Sequence, residues 1–159
     1  MPPNARKIVW IAFVITTVAS GGILSYTLHV YFGVYRAVRL INISVVGFLF
    51  YPSNESPWTE TNITIENPSE YSFTVDLLQQ KLYLNSLDTE GYIFTTYLSN
   101  PIILGPFSNF NATFKIIVPD YKISVVASAA SRNWMTVFYV WGKGLMLDSL
   151  SLSFSRQLS

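Results

Sequence analysis

Between Ile8 and Tyr35 the chain runs for 28 residues without Asp, Glu, Lys or Arg. At ~1.5 Å per residue, about 20 apolar helical residues cross a hydrocarbon core of ~30 Å. A run of this length can cross with tilt and reach the headgroups on one side. The order of its residues fits that reading. Arg6 and Lys7 stand outside one end, with Trp10 just inside, while Tyr26, Tyr31, Phe32 and Tyr35 crowd the other, ahead of Arg36 and Arg39. Amphipathic rings and basic residues at both ends of an apolar core form the interfacial belt of a spanning helix. Arg6, Lys7, Trp10, Tyr31, Tyr35, Arg36 and Arg39 are therefore the expected interface anchors. A cleaved signal peptide is the competing reading, with Thr17-Val18-Ala19-Ser20-Gly21-Gly22 as the small-residue cleavage region. The apolar character continues well past Gly22, which a signal peptide does not need, and this favours an anchor that is kept.

The expected organisation is a short cytoplasmic segment (1–7), a transmembrane helix (8–35) and an extracytoplasmic domain (36–159). The flanking charge nearly ties and only leans towards a cytoplasmic N-terminus. Asn42, Asn54, Asn62 and Asn111 each begin an Asn-x-Ser/Thr sequon, whereas Asn67 is excluded by Pro68. These are candidate glycosylation sites, a modest excess over chance, and they favour a globular part outside the cytoplasm. The complete absence of Cys excludes disulfides and thiolate metal sites.

Charge divides along the chain. Residues 1–54 carry four basic residues and no acid, giving +4, while residues 55–159 carry six basic and nine acidic residues, giving −3. Nothing here forms a nucleic-acid footprint. The basic residues beside the apolar run suit lipid headgroups. Low charge with abundant Tyr, Ser, Thr and Asn resembles surface proteins of acidophilic, heat-loving archaea, where low pH neutralises carboxylates.

Within the apolar run, Thr17, Gly21 and Ser25 recur every four residues and share one helix face. Such small-residue faces let helices approach closely in lipid, so these three are candidates for helix packing. His29, the only histidine, sits one turn from the outer boundary, where a neutral imidazole needs no role.

After Arg36 the hydrophobic period changes from helical to two. Val38, Leu40, Ile41, Ile43, Val45, Val46, Phe48 and Phe50 read as a strand ending at Pro52-Ser53-Asn54. Residues 61–66 place Ile63 and Ile65 inward, with Asn62 and Thr64 outward. A long strand over 72–84 sets Phe73, Val75 and Leu77, then Leu82 and Leu84, on one face. The Leu77-Leu78 doublet marks a bulge. Further strands are expected over 92–98, 110–116, 134–141 and 145–154, with Gly142-Lys143-Gly144 as a kink or turn. Residues 120–131 remain open between a short helix capped by Asp120 and a strand. The expected fold class is mainly β: one N-terminal transmembrane helix followed by an antiparallel β-sandwich of fibronectin III or immunoglobulin type, with one core.

The order of these features resembles a known family. A strand ends in Asn-Pro at Ile63-Thr64-Ile65-Glu66-Asn67-Pro68. Tyr71 and a long strand follow, then a Gly-Pro-Phe turn at Gly105-Pro106-Phe107, another strand, a helix and a closing strand pair around Gly142. This is similar to the LEA-14/water-stress (LEA type 2) domain over residues 38–158. The loops here are shorter, and Ser69 stands where the family usually has a second Asn. The resemblance implies a fibronectin III-like fold and the attachment or protective roles of membrane-tethered relatives. It supplies no catalytic residues.

No catalytic constellation, cofactor motif or metal-ligand spacing is visible, so no catalytic, cofactor-binding or metal residues are expected. Without Cys, and with His29 in the apolar run, the β domain lacks a triad, a zinc site and an imidazole base. Asp88 and Glu90 share a turn, Glu66 and Glu70 flank the Asn-Pro corner, and both pairs read as solvated charges. The aromatics are more suggestive. Tyr71, Tyr83, Tyr92, Tyr97, Phe107, Phe110, Tyr121, Trp134, Tyr139 and Trp141 exceed what a small core buries, and Tyr and Trp suit protein contacts. The serine-alternating C-terminal strand adds a possible pairing edge. The expected function is a non-enzymatic, membrane-anchored binding or scaffold module of the cell envelope. Its expected partners are membrane lipid and other membrane or surface proteins, a second copy included. The alternative is a single-pass accessory subunit of a membrane enzyme complex, respiratory or quinone-linked. A stand-alone enzyme or small-ligand domain fits least.

Overall fold

The computed structural model describes residues 3–53, 55–128, 133–145 and 147–158; the candidate sequon Asn54 and the side chain of Arg6 lie outside that description. The chain divides into two compact units between Arg36 and Ala37.

The first unit is carried by helix α1, Pro3–Leu40. From Lys7 onward α1 is long and apolar enough to cross a membrane. Ile8, Ile15, Val18, Ile23 and Leu24 are each about 60–70% exposed, so their apolar surface has no protein cover. Burying it in lipid is worth roughly 25 cal/mol per Å². Thr16, Thr17 and Thr27 return their hydroxyls to the carbonyls of Ala12, Phe13 and Ile23 at 2.9 Å, which removes the need for outside partners.

The helix continues past the expected boundary. Val38 and Leu40, expected in the first strand, form the last helical turn, and Ile41 closes it through its N–H on the Val38 carbonyl at 3.3 Å. Extending an existing helix fixes one residue and gains one bond, and that gain outweighs the local β preference of Val38.

The second unit is an antiparallel sandwich with one helix. Its strands are β1 (Asn42–Tyr51), β2 (Trp58–Asn67), β3 (Phe73–Leu84), β4 (Tyr92–Leu98), β5 (Ile102–Leu104), β6 (Ser108–Ile117), β7 (Trp134–Gly144) and β8 (Leu147–Leu158), with α2 (Asp120–Ser128) between β6 and β7. One sheet runs β1-β2-β6 and the other β4-β3-β7-β8, with β5 paired to β3 beyond β4. The segment after Pro119 is thus helical, with Asp120 in its first turn, where a carboxylate complements the helix dipole. Val126 is its buried residue. β5 has no counterpart in the sequence reading, because three residues are too short for a period.

β2 alternates buried and partly buried residues along its whole length, with Ile63 and Ile65 inward as expected. β3 changes phase part-way. Its bulge falls at Asp76, between the Val75↔Gly142 and Leu77↔Trp141 pairs, one residue before the expected doublet. That extra residue turns Leu77 outward and Leu78 inward, which corrects the predicted facing. β7 runs on through Gly144 with its own irregularity at Lys143, so Gly142-Lys143-Gly144 is a kink within the strand and not a turn. Ring contacts join the sheets: Phe114 meets Phe138 at 6.0 Å, while Phe48 and Phe50 meet Trp134 at 5.8 and 5.3 Å.

Candidate functional site: the outer faces of the sandwich

Among the described residues the carboxylates do not assemble. Asp88 accepts bonds from Ser86 Oγ at 2.7 Å and from the Gly91 N–H at 2.9 Å, shaping the β3–β4 turn. These bonds, Ser86 first, hold its carboxyl below the usual range. Glu66 lies next to the end of β2 and pairs with Asn42, with its own side chain half-buried. Among the described residues no three His, Cys, Asp or Glu side chains gather as a metal site would need. His29 lies on exposed α1.

The aromatics do assemble, on the outer face of the larger sheet. β3 runs down the middle of that face. Gln79 is flanked by Tyr97 on β4 and Tyr139 on β7, Tyr83 by Tyr92 and Met135, and Leu77 lies beside Trp141. Tyr139 and Trp141 are near-parallel at 5.8 Å, Tyr83 meets Tyr92 edge-on at 5.8 Å, and the Lys81 ammonium stands 5.0 Å over the Tyr139 ring. Tyr97 is 55% exposed and the others are half-buried. Desolvation by these neighbours raises the Tyr83 hydroxyl above its ordinary pKa, opposed by Lys81. A recess of about 390 Å³ lined by Lys81, Tyr83, Asp88 and Tyr92 ends the face. Rings with apolar bodies and polar tips, ordered on a rigid sheet, suit a protein surface of matching shape.

Beside this face lies β8, which has β7 on one side and no strand on the other in the sheet order. Ser149, Ser151, Ser153 and Ser155 are exposed, while Leu150 is buried. The C-terminal strand therefore occupies the edge position that pairing by a partner strand requires. Near its end the Arg156 guanidinium donates to Asn42 Oδ1 at 3.0 Å, joining β8 to β1.

The remaining expected contact residues scatter. Trp134 is 4% exposed and belongs to the core, which removes it from any surface: β7 alternation places it inward with Thr136 and Phe138. Phe110 is partly buried on β6, Tyr71 is partly buried, and Phe107 and Tyr121 are 74% and 68% exposed on other parts of the domain. Trp58, not singled out in the sequence, stacks on Tyr51 at 3.8 Å and lies under Lys115 Nζ at 3.9 Å.

Two buried polar groups also escaped the sequence reading. Asn67 is 1% exposed, and its Nδ2 donates to the carbonyls of Tyr71 and Gly105, each at 2.7 Å. Its Oδ1 accepts from Ser69 Oγ at 2.6 Å and from the Ser69 N–H at 3.2 Å. Gln80 is fully buried, donating from Nε2 to Thr61 Oγ1 at 2.9 Å.

The described sequon residues, Asn42, Asn62 and Asn111, fall on sheet strands. Asn42 opens β1, and Asn62 and Asn111 lie inside β2 and β6. On α1 the helix-packing candidates Thr17, Gly21 and Ser25 are exposed, and a Cβ added at Gly21 would meet nothing within 4 Å. The anchors Lys7, Trp10, Tyr31, Tyr35, Arg36 and Arg39 are also exposed along α1.

No family model matches this chain, and no curated protein matches it in sequence. Solved structures do. The ApaA protein of Bordetella pertussis aligns at TM-score 0.53 and 12% identity, over 75% of this chain and 92% of that one. A second structural-genomics protein aligns at 0.51 and 12%, over 75% and 85%. A late embryogenesis abundant (LEA) protein aligns at 0.47 and 10%, over 88% and 86%. At such identities the likeness concerns the fold alone.

Proposed function

We propose that this protein is a non-enzymatic, membrane-anchored binding or scaffold module whose sandwich stands outside the cytoplasm and works through protein–protein contacts. The observation that carries this reading is the aromatic face of the larger sheet beside the β8 edge. Tyr83, Tyr92, Tyr97, Tyr139 and Trp141 converge there from three strands, and α1 supplies the apolar length of an anchor. A LEA-14-like fold is in keeping with an attachment role. The partner is a protein of the same envelope or a second copy of this chain.

Mild-detergent extraction of the full chain, with sizing and mass spectrometry of what co-elutes, tests the reading. Tyr139→Glu with Trp141→Glu should abolish co-elution while leaving the far-ultraviolet circular dichroism unchanged. Co-elution that survives both substitutions contradicts it.

A second reading is favoured by one feature of α1. The open face at Thr17, Gly21 and Ser25 suits a helix of a multi-spanning complex, which would make the protein an accessory subunit. Gly21→Ile separates the two: loss of assembly with a multi-spanning partner supports the subunit, and unchanged behaviour supports a plain tether.

A further inference from the structure

Two sequons meet across one ladder. Asn62-Ile63-Thr64 on β2 and Asn111-Ala112-Thr113 on β6 run antiparallel, with Asn62 opposite Thr113 and Thr64 opposite Asn111. The match is reciprocal in hydrogen bonding. Thr113 Oγ1 donates to Asn62 Oδ1 at 2.6 Å, and Thr64 Oγ1 donates to Asn111 Oδ1 at 2.7 Å. Each sequon's hydroxyl is thereby held by the other sequon's asparagine. A sequon is read as an asparagine with a hydroxyl two residues on, ordinarily on an accessible segment. Here both hydroxyls are engaged and both segments sit inside paired strands.

The same bonds leave the acceptor nitrogens facing away from the clasp, because Oδ1 rather than Nδ2 receives the hydroxyl in each case. Asn111 is exposed. Asn62 Nδ2 makes one long contact with Glu60 Oε1 at 3.4 Å. Beside it on β1 stands Gly47, whose absent side chain leaves space open: a Cβ there would lie 3.7 Å from Nδ2. A sugar joined to Nδ2 retains Oδ1, so both bonds of the clasp survive modification.

Resting on the extracytoplasmic placement proposed above, we infer that Asn62 and Asn111 form a coupled pair of N-glycosylation sites, modified before β2 and β6 pair. In the transfer, the Asn Nδ2 forms a bond to the anomeric carbon of a lipid-phosphate-linked oligosaccharide. The anomeric C–O bond to phosphate breaks, the lipid phosphate leaves with its electron pair, and the amide proton passes to the transferase and solvent. No oxidation or reduction takes place. Once the strands pair, the hydroxyls are withdrawn and the unmodified sites become refractory. The folded domain then carries sugar on the outer face of the smaller sheet and leaves the aromatic face of the larger sheet bare.

The test expresses the full chain in an N-glycosylating host, maps sites by enzymatic release with isotope-marked deamidation, and uses the Asn54 sequon as internal reference. Occupancy of both Asn62 and Asn111 is expected. In a second arm, the unmodified full chain is offered to an oligosaccharyltransferase with a lipid-linked donor, folded in detergent or unfolded in urea and diluted at the moment of reaction. Transfer to the folded chain should be slower by about tenfold or more, since it waits on local opening. Equal rates overturn the ordering. Asn54 occupied with Asn62 and Asn111 bare overturns the pair while leaving the placement intact. All sequons bare overturns the placement and the pair with it.

Discussion

Asn67 Nδ2 reaches the carbonyl of Gly105 at 2.7 Å, tying the turn after β2 to the turn before β6 across 38 residues of sequence. Together with the Tyr71 carbonyl and the Ser69 groups, every hydrogen-bonding position of this buried amide is used. Cutting the side chain back strands two carbonyls and a serine in a buried site. Asn67→Ala should cost about 3 kcal/mol, summed from buried bonds left unmade at ~1–3 kcal/mol each. Urea denaturation of the full chain in detergent reads it. A cost below about 1 kcal/mol would mean that the two turns hold without the amide.

Glycines at two ladder positions should respond in opposite ways. A Cβ at Gly142 would overlap the Thr74 carbonyl and meet Val75 Cα at 3.0 Å, all backbone and unable to yield cheaply. Gly142→Ala is expected to destabilise by about 2 kcal/mol or more, as overpacking does. Gly47→Ala finds ordinary contact distances and should be neutral or gain a few tenths of a kcal/mol, by restricting the unfolded chain. Melting both variants side by side checks the contrast; equal effects would contradict it.

Phe107 holds a left-handed backbone, φ 49°, with its ring 74% exposed, a costly combination for a residue with a Cβ. Phe107→Asn places a residue that tolerates this region and should stabilise the domain by about 0.5–1 kcal/mol. Loss of stability instead would show that the ring packs usefully where it stands.

Asp88 sets an acid limb on stability. Its carboxyl is held low in the fold by Ser86 and Gly91, so the folded state binds a proton less readily than the unfolded chain. The contribution is present above the unfolded carboxyl range and is lost as pH falls through the lower folded value. Asp88→Asn should trail the parent at neutral pH and converge with it towards pH ~3. A gap independent of pH would assign the loss to turn geometry rather than charge.

At the other extreme, Tyr83 favours its neutral form through desolvation. Its contribution is present below the unfolded tyrosine value near 10 and falls away as pH rises through the raised folded value. Tyr83→Phe should hold its stability better than the parent at alkaline pH. An unchanged alkaline limb would mean that another tyrosine sets it.

Much of this fold is legible in the sequence, because period-two alternation is a local signal. β2 shows Ile63 and Ile65 inward in both, and the apolar run needs only composition. What escaped depends on distant partners. Asn67 reads as ordinary turn chemistry until Gly105 is brought against it, and Gln80 shares the inward face of Leu82 and Leu84 but finds its partner, Thr61, only through the packing of the two sheets. Trp134 reads as a candidate contact because the sequence cannot say which face of β7 looks inward. The aromatic face is half legible: its residues were named, but the register that gathers Tyr97, Tyr139 and Tyr83 around β3 is a property of pairing. The reciprocity of the two sequons lies in register alone.

β3 is paired on both edges, with β7 along one side and β5 then β4 along the other. Its amide protons should therefore outlast those of the edge strands in deuterium exchange, since releasing them requires dismantling the larger sheet. In the smaller sheet β2 alone is paired on both edges, and β1 and β6 are each held on one side. Thermal fluctuation will thus open the molecule from its edge strands, while β3 and the strands paired along it hold longest.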